Sequence, residues 1–298
     1  MIKPFPKPSI IPRPHLRLPV RKRMTAILGF NCSDGVLMMA DTEESTSLYT
    51  KSEADKLARF ICPYGTVVTG GSGDAHLIDC ATQELSEFFR ETPPPHVDIK
   101  TKLNEFAQTF FRDTTGQYSG FATELVPSLA MLIAINFNQH TWLFRWTHNR
   151  VLLIPSGAHT SVGAGDAQVH PMLRDVRFLM PPSCDGMLLY GTRIMLQAKR
   201  MVQGVGGKTE AIALHNGART HFYGSKNMRL VEELVSEIED FNTGLAYAYV
   251  SGSLELEDNA AEAVILDVPN DFRRFRDRYR QLVGDPRLLN SQMSTDRQ

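Results

Sequence analysis

Short apolar runs separated by turn residues dominate the first third of the chain. Residues 26–30 and 36–40 are two such runs on either side of a Cys-Ser-Asp-Gly stretch at residues 32–35, and an Asp-Gly pair between apolar runs is a strong hairpin signal. Residues 57–62 and 66–69 predict a second pair of strands around a Pro-Tyr-Gly turn. The glycine-rich stretch that follows predicts the end of a strand and the start of a helix.

Two amphipathic helices are predicted next, the first soon after the glycine-rich stretch and the second from about residue 98. Three consecutive prolines separate them. Each has apolar residues at helical spacing, which predicts one buried face per helix. These faces comprise Leu77, Ala81, Leu85 and Phe88 in the first helix and Ile99, Leu103, Phe106 and Phe110 in the second.

A second group of strands and helices follows in the same order. Residues 129–137 are apolar throughout, so this strand is expected to be covered on both faces. Further strands are predicted at 141–146, 151–154, 160–162, 210–214 and 220–223, with helices at 166–176 and 185–202 between them. Because no β-α-β alternation runs through the chain, this order predicts an α+β fold with antiparallel sheets between helical layers.

Composition narrows the class of protein without identifying it. Apolar residues make up 42% and charged residues 22% of the chain, and the formal net charge is −1, so we expect a soluble globular protein without a nucleic-acid or membrane partner. The four cysteines lack paired spacing, which predicts neither a zinc site nor a disulfide framework and favours a cytoplasmic location. The nine histidines show no metal-ligand spacing, so no metal or cofactor is predicted.

The candidate chemistry begins at Thr25. A glycine lies four residues after it, the Asp-Gly turn follows, and Asp41 is the sixteenth residue after the threonine. Lys56 then precedes a predicted strand, and Gly70 opens a Gly-Gly-Ser-Gly-Asp-Ala stretch. Together with glycines at 163, 165, 206 and 207, this joint spacing over residues 25–224 resembles the proteasome β-type subunits, a family of N-terminal-nucleophile hydrolases.

That resemblance implies a four-layer αββα sandwich and a threonine peptidase that degrades polypeptides within a ring-shaped homo-oligomer, with an ATP-driven unfoldase as a partner. By the same resemblance Thr25 is the nucleophile once residues 1–24 are removed. Its free α-amine acts as the base, Lys56 supplies positive charge, Asp41 holds Lys56, and the N–H of Gly70 faces the oxyanion. The residue types fit these roles, because an α-amine titrates near ~7.7–8.0 and a nearby ammonium favours a deprotonated hydroxyl.

The sequence divides into three predicted segments, of which the resemblance covers the middle one. Residues 1–24 hold six prolines and seven basic residues without an acid, and we interpret them as a disordered tail, a propeptide or translated sequence upstream of the real start. Residues 25–224 form the predicted hydrolase domain. Residues 225–298 are predicted to be a C-terminal extension with a helix, two strands and a basic helix.

Several positions depart from the family pattern. Ala164, Val202 and Val205 stand where active members carry polar residues that support the threonine, and Met24 stands where self-processing members carry glycine. Aliphatic side chains neither accept nor relay a proton. Two hypotheses therefore stay open: an active threonine peptidase, and a catalytically inactive scaffold or binding subunit. A weaker third alternative is an amidase that acts on small amides.

Overall fold

The computed structural model describes residues 22–23, 25–45, 51–91, 98–115, 128–137, 140–164, 166–174, 180–217, 219–252 and 258–284. Within these ranges the strands are β1 (Lys22–Arg23), β2 (Ala26–Asn31), β3 (Gly35–Asp41), β4 (Glu43–Ser45), β5 (Lys51–Glu53), β6 (Leu57–Cys62), β7 (Gly65–Asp74), β8 (Leu129–Phe137), β9 (His140–Thr147), β10 (Arg150–Ile154), β11 (His159–Gly163), β12 (Thr209–His215) and β13 (Arg219–Tyr223). The helices are α1 (Ala75–Glu91), α2 (Ile99–Thr115), α3 (Asp166–Arg174), α4 (Cys184–Met201), α5 (Ser225–Gly252) and α6 (Asp258–Gly284).

Two antiparallel sheets form the centre of the protein. The first sheet has the strand order β1-β7-β8-β9-β10, with β6 also paired to β7. The second has the order β11-β2-β3-β12-β13, and β4 and β5 form a separate two-stranded ribbon. The predicted Asp-Gly hairpin is β2-turn-β3, in which Asn31 pairs with Val36 and Ile27 with Ala40.

Successive side chains of a strand point to opposite faces of its sheet, so both faces of each sheet carry apolar residues. Three apolar clusters therefore lie between the four layers, which are two helical layers outside and two sheets inside. In β8, Met131, Ile133 and Ile135 face α1 and α2, whereas Leu132 and Ala134 face the second sheet. The second sheet turns its other face towards α3, α4 and α5, where the third cluster lies. The expected four-layer αββα sandwich is therefore confirmed, and both faces of β8 are covered because helices lie on one side and a sheet on the other.

The C-terminal part differs from the sequence prediction. Instead of a helix, two strands and a basic helix, the described residues after 224 form the long helices α5 and α6, which pack against each other. The prediction of strands near residues 245–250 and 263–268 is wrong. Both stretches contain alanine beside residues that form strands well, and alanine is the best helix former, so local propensity did not decide between the two.

Two further differences concern the N-terminal part. The predicted tail, residues 1–24, lies outside the described residues except for β1, which is a short strand paired with Gly73 and Asp74. The glycine-rich stretch does not end its strand, because β7 continues through it to Asp74 before α1 begins. Among the described residues, no helix is long and apolar enough to cross a membrane.

Candidate functional site

The β2–β3 hairpin brings Thr25 and Asp41 together. Thr25 immediately precedes β2 and Asp41 ends β3, so antiparallel pairing makes the two residues neighbours. The Thr25 hydroxyl donates a hydrogen bond of 2.7 Å to Asp41 Oδ1, and the N–H of Ala26 donates to the same oxygen at 2.9 Å. Both Thr25 and Asp41 are fully buried, with 0% of their surface exposed.

Lys56 completes this cluster from the connection between β5 and β6. Its Nζ atom lies 2.9 Å from Asp41 Oδ2, and its side chain is 2% exposed. The same ammonium donates to the backbone carbonyl of Glu43. A fourth donor to Asp41 is the N–H of Gly206, at 3.1 Å from Oδ2. The four donors satisfy all acceptor positions of an ionised carboxylate, so Asp41 joins Thr25 to Lys56 through a hydrogen-bonded bridge.

Gly70 lies in β7 beside the point where β6 begins. It pairs with Leu57 on one side and Leu132 on the other. A Cβ atom at this position would lie 2.9 Å from Leu57 Cδ2, so the close packing favours glycine. Lys56 and Gly70 both line a cavity of about 580 Å³, and residues of α1 line it as well. The structure thus gathers Thr25, Asp41 and Lys56 by direct hydrogen bonds and brings Gly70 to Lys56 across this cavity.

Glu210 is a residue of the site that sequence reasoning did not identify. Its Oε1 atom accepts hydrogen bonds from the N–H groups of Lys56 at 2.6 Å and Leu57 at 2.8 Å. Burial is the main reason why the pKa of Glu210 rises to about 7, although the two N–H donors oppose this shift. The sequence did contain one signal for Glu210. It is the acidic residue of a predicted strand, 210–214, that is otherwise apolar, and an acid that is buried in this way needs a specific partner.

Thr25 is an internal residue of the full-length chain, with a buried side chain. Thr25 nitrogen is part of the peptide bond to residue 24, so it has no basic lone pair. The carbonyl of Thr25 also packs tightly against Gly163, where an added Cβ would lie 1.9 Å from the carbonyl oxygen. Gly163 has φ of +121°, a conformation that strongly favours glycine. The Thr25 hydroxyl is thus buried beside a tightly packed stretch of backbone in the intact chain.

Comparison with known proteins gives a clear answer about the fold. No family model matches the chain, and no curated protein matches it. Among solved structures, Anbu (ancestral beta-subunit) from Yersinia bercovieri aligns with TM-score 0.58 and 14% identity over 78% of this chain and 98% of that one. The Anbu complex from Pseudomonas aeruginosa, described as a helical assembly, aligns with TM-score 0.60 and 12% identity over 79% and 99%. The fold is proteasome-like.

These findings correct one expectation from the sequence. The chain was expected to belong to the proteasome β-type subunit family, and this is wrong, because no family model matches and the similar structures are Anbu proteins at 12–14% identity. At this identity the likeness is one of fold. The spacing of glycines and polar residues was evidence for the proteasome-like architecture, which many divergent sequences share, and not for one family within it.

Within this proteasome-like fold, the three departures have different surroundings. Val202 and Val205 are buried, at 9% and 4% exposure, in the apolar cluster between the second sheet and its helices. Ala164 is exposed in the turn after β11. The neighbouring N–H of Gly206 donates to Asp41, so part of the polar contact near this loop comes from the backbone.

Proposed function

We propose that this protein is an N-terminal-nucleophile hydrolase that cleaves peptide bonds with Thr25 after removal of residues 1–24. The observation that carries the proposal is the fully buried bridge Thr25–Asp41–Lys56, with hydrogen bonds of 2.7 and 2.9 Å. Buried charges are rare unless they are paired, and they gather where chemistry needs a set charge distribution. The proteasome-like fold adds support.

In the proposed reaction, the free α-amine of Thr25 takes the proton of its own hydroxyl. The oxygen attacks the substrate carbonyl carbon, and the positive charge of Lys56 stabilises the developing negative charge. The C–N bond of the substrate then breaks, the departing amine takes the proton from the Thr25 ammonium, and an ester on Thr25 Oγ1 is left. Water hydrolyses this ester with the same amine as base. We assign the N–H of Gly70 to the oxyanion.

The proposal extends to assembly. Anbu from Pseudomonas aeruginosa forms a helical assembly, which supports a homo-oligomer for this chain as well. Light scattering would measure the mass of the particle, and electron microscopy would distinguish a closed ring from an open helix. Delivery of polypeptides by an ATP-driven unfoldase stays a prediction, to be checked by co-purification from cells.

The decisive experiment compares forms of the chain that differ at residue 25. The protein is produced as a cleavable fusion whose removal leaves Thr25 as the first residue, with Thr25→Ala in the same format and the full-length chain as controls. We expect hydrolysis of fluorogenic peptides and an acyl-enzyme mass adduct only in the form that begins with Thr25. Equal rates in that form and in Thr25→Ala would overturn the proposal.

A second candidate is an inactive scaffold subunit with the same fold. It is favoured by the aliphatic residues Val202 and Val205 at positions where polar support was expected, and by the complete burial of Thr25. The intact mass of the protein isolated from cells separates the two candidates. A mass that starts at Thr25 supports the hydrolase, whereas a mass that retains the preceding residues supports the scaffold.

A further inference from the structure

A second cluster of reactive side chains lies at the opposite end of the β2–β3 hairpin. Asp34 is in the hairpin turn, His215 is the last residue of β12 and pairs with Gly35, and Cys184 is the first residue of α4. One donor atom from each of Asp34, Cys184 and His215 lies within 4.8 Å of the other two. A carboxylate, a thiol and an imidazole thus converge from three separate parts of the chain.

Hydrogen bonds hold this cluster in place. Asp34 Oδ1 accepts the N–H of Cys184 at 2.7 Å, and Asp34 Oδ2 lies 3.5 Å from Nδ1 of His215. The backbone carbonyl of Asp34 accepts the N–H of Asn216 at 2.9 Å, which fixes the turn against the end of β12. The fold therefore holds Asp34 against the start of α4 and the end of β12 before any ligand binds.

The histidine carries a second indication of a ligand. Its Nε2 atom is buried and has no hydrogen-bond partner within the described part of the chain. Buried polar atoms are normally paired, so each unpaired atom calls for an explanation. The ring centroid of His221 lies 4.5 Å from that of His215, and its buried Nδ1 atom also has no hydrogen-bond partner among the described residues. Two imidazole nitrogens next to the cluster are therefore without a hydrogen bond within the described part of the chain.

We infer that Asp34, Cys184 and His215 form a binding site for a thiophilic divalent cation, with Zn²⁺ as the best match. Sulfur and imidazole ligands suit Zn²⁺, whereas Mg²⁺ and Ca²⁺ require mostly oxygen ligands. Ligand atoms of tetrahedral zinc are roughly 3.5 Å apart, a value that follows from metal–ligand distances of ~2.0–2.3 Å. The three ligand atoms lie within 4.8 Å of one another, so they have to approach each other by about 1 Å when the ion binds.

The site is open to solvent on one side, because the side chain of Asp34 is 42% exposed. By joining the hairpin turn, β12 and α4, a bound ion stabilises the folded chain over the unfolded one.

This site is independent of the proposed hydrolase chemistry. Six strand residues separate Thr25 from the turn, a distance of about 20 Å at the usual rise of a β-strand. Thr25→Ala is therefore expected to leave metal binding unchanged. Failure of the metal site says nothing about peptide hydrolysis, and the reverse also holds.

Co²⁺ serves as a spectroscopic probe of the full-length, reduced protein. We expect one ion per chain with a thiolate-to-cobalt charge-transfer band, which Zn²⁺ displaces. Cys184→Ser should abolish the band, and His215→Ala should weaken binding at least about tenfold. Cys80→Ser is the matched control, because Cys80 lies beside His76 on α1 and is the competing Cys–His pair. A band that survives in Cys184→Ser, or disappears in Cys80→Ser, would overturn the inference.

A measurement on the unaltered protein tests the metal site even if one of the variants does not fold. X-ray absorption of the Zn²⁺-loaded chain should show sulfur together with nitrogen or oxygen around the metal. A shell of nitrogen and oxygen alone contradicts the assignment, since it leaves out the thiolate of Cys184.

Discussion

Replacing Asp41 by alanine removes the counter-ion of a buried ammonium. Lys56 is 2% exposed at its side chain, and the substitution removes the carboxylate that lies 2.9 Å from its ammonium. Removing one partner of a buried ion pair destabilises a protein by about 3–5 kcal/mol, because the remaining charge loses its main counter-charge in the interior. With a typical free energy of unfolding of about 5–15 kcal/mol, this is a large fraction of the total.

The reverse substitution, Lys56→Met, should destabilise less. It removes the ammonium but leaves Asp41 with three donors: the Thr25 hydroxyl and the N–H groups of Ala26 and Gly206. We expect a loss of about 1–3 kcal/mol, typical of one lost partner to a charged group. The double variant Asp41→Ala/Lys56→Met should be more stable than the sum of the two single losses predicts, because both changes remove the same interaction.

Urea unfolding followed by tryptophan fluorescence measures these losses, since Trp142 and Trp146 lie in the first sheet. Thr25→Val is a suitable control, because it removes one hydrogen bond at the same carboxylate and should cost about 1 kcal/mol. Two outcomes would show that the Asp41–Lys56 ion pair does not stabilise the fold in this way. One is a smaller loss of stability in Asp41→Ala than in Lys56→Met, and the other is a double variant in which the two single losses simply add.

Three further predictions follow from other parts of the site. Because the folded chain keeps the Glu210 proton between the ordinary pKa of 4.5 and about 7, where the unfolded chain has released it, the free energy of unfolding should fall by about 3 kcal/mol as pH rises through this window. Glu210→Gln should remove this slope in urea titrations at several pH values. If the slope persists, Glu210 is not its source. Gly163→Ala should destabilise by several kcal/mol, because its Cβ would overlap the Thr25 carbonyl, whereas Gly244→Ala, at an open helical position, should stabilise by about 1 kcal/mol in thermal denaturation. Equal effects of the two glycine substitutions would contradict the observed close approach. In the form that begins with Thr25, Gly70→Ala should lower the rate of peptide hydrolysis while shifting stability only modestly, because its Cβ meets the movable side chains of Leu57 and Ile27. An unchanged rate would argue against the assignment of its N–H.

Local patterns in the sequence determined much of the architecture. The Asp-Gly turn between two apolar runs predicted the β2–β3 hairpin, and the unbroken apolar run of β8 predicted a strand covered on both faces. Both inferences depend on residues that are close along the chain or on simple burial, and such signals survive in almost any tertiary context. The hairpin alone already brings Thr25 towards Asp41, since their places at the two strand ends follow from the antiparallel register.

Tertiary structure decided the rest, because the deciding contacts join distant parts of the chain. Glu210 meets the backbone of Lys56 across 154 positions, and Asp34 meets Cys184 across 150. Spacing along the sequence carries no trace of such pairs, so the scattered cysteines and histidines gave no hint of a shared metal site. The C-terminal helices show the same limit. Their alanine-containing segments suit a strand or a helix, and in the structure they belong to α5 and α6, which pack against each other.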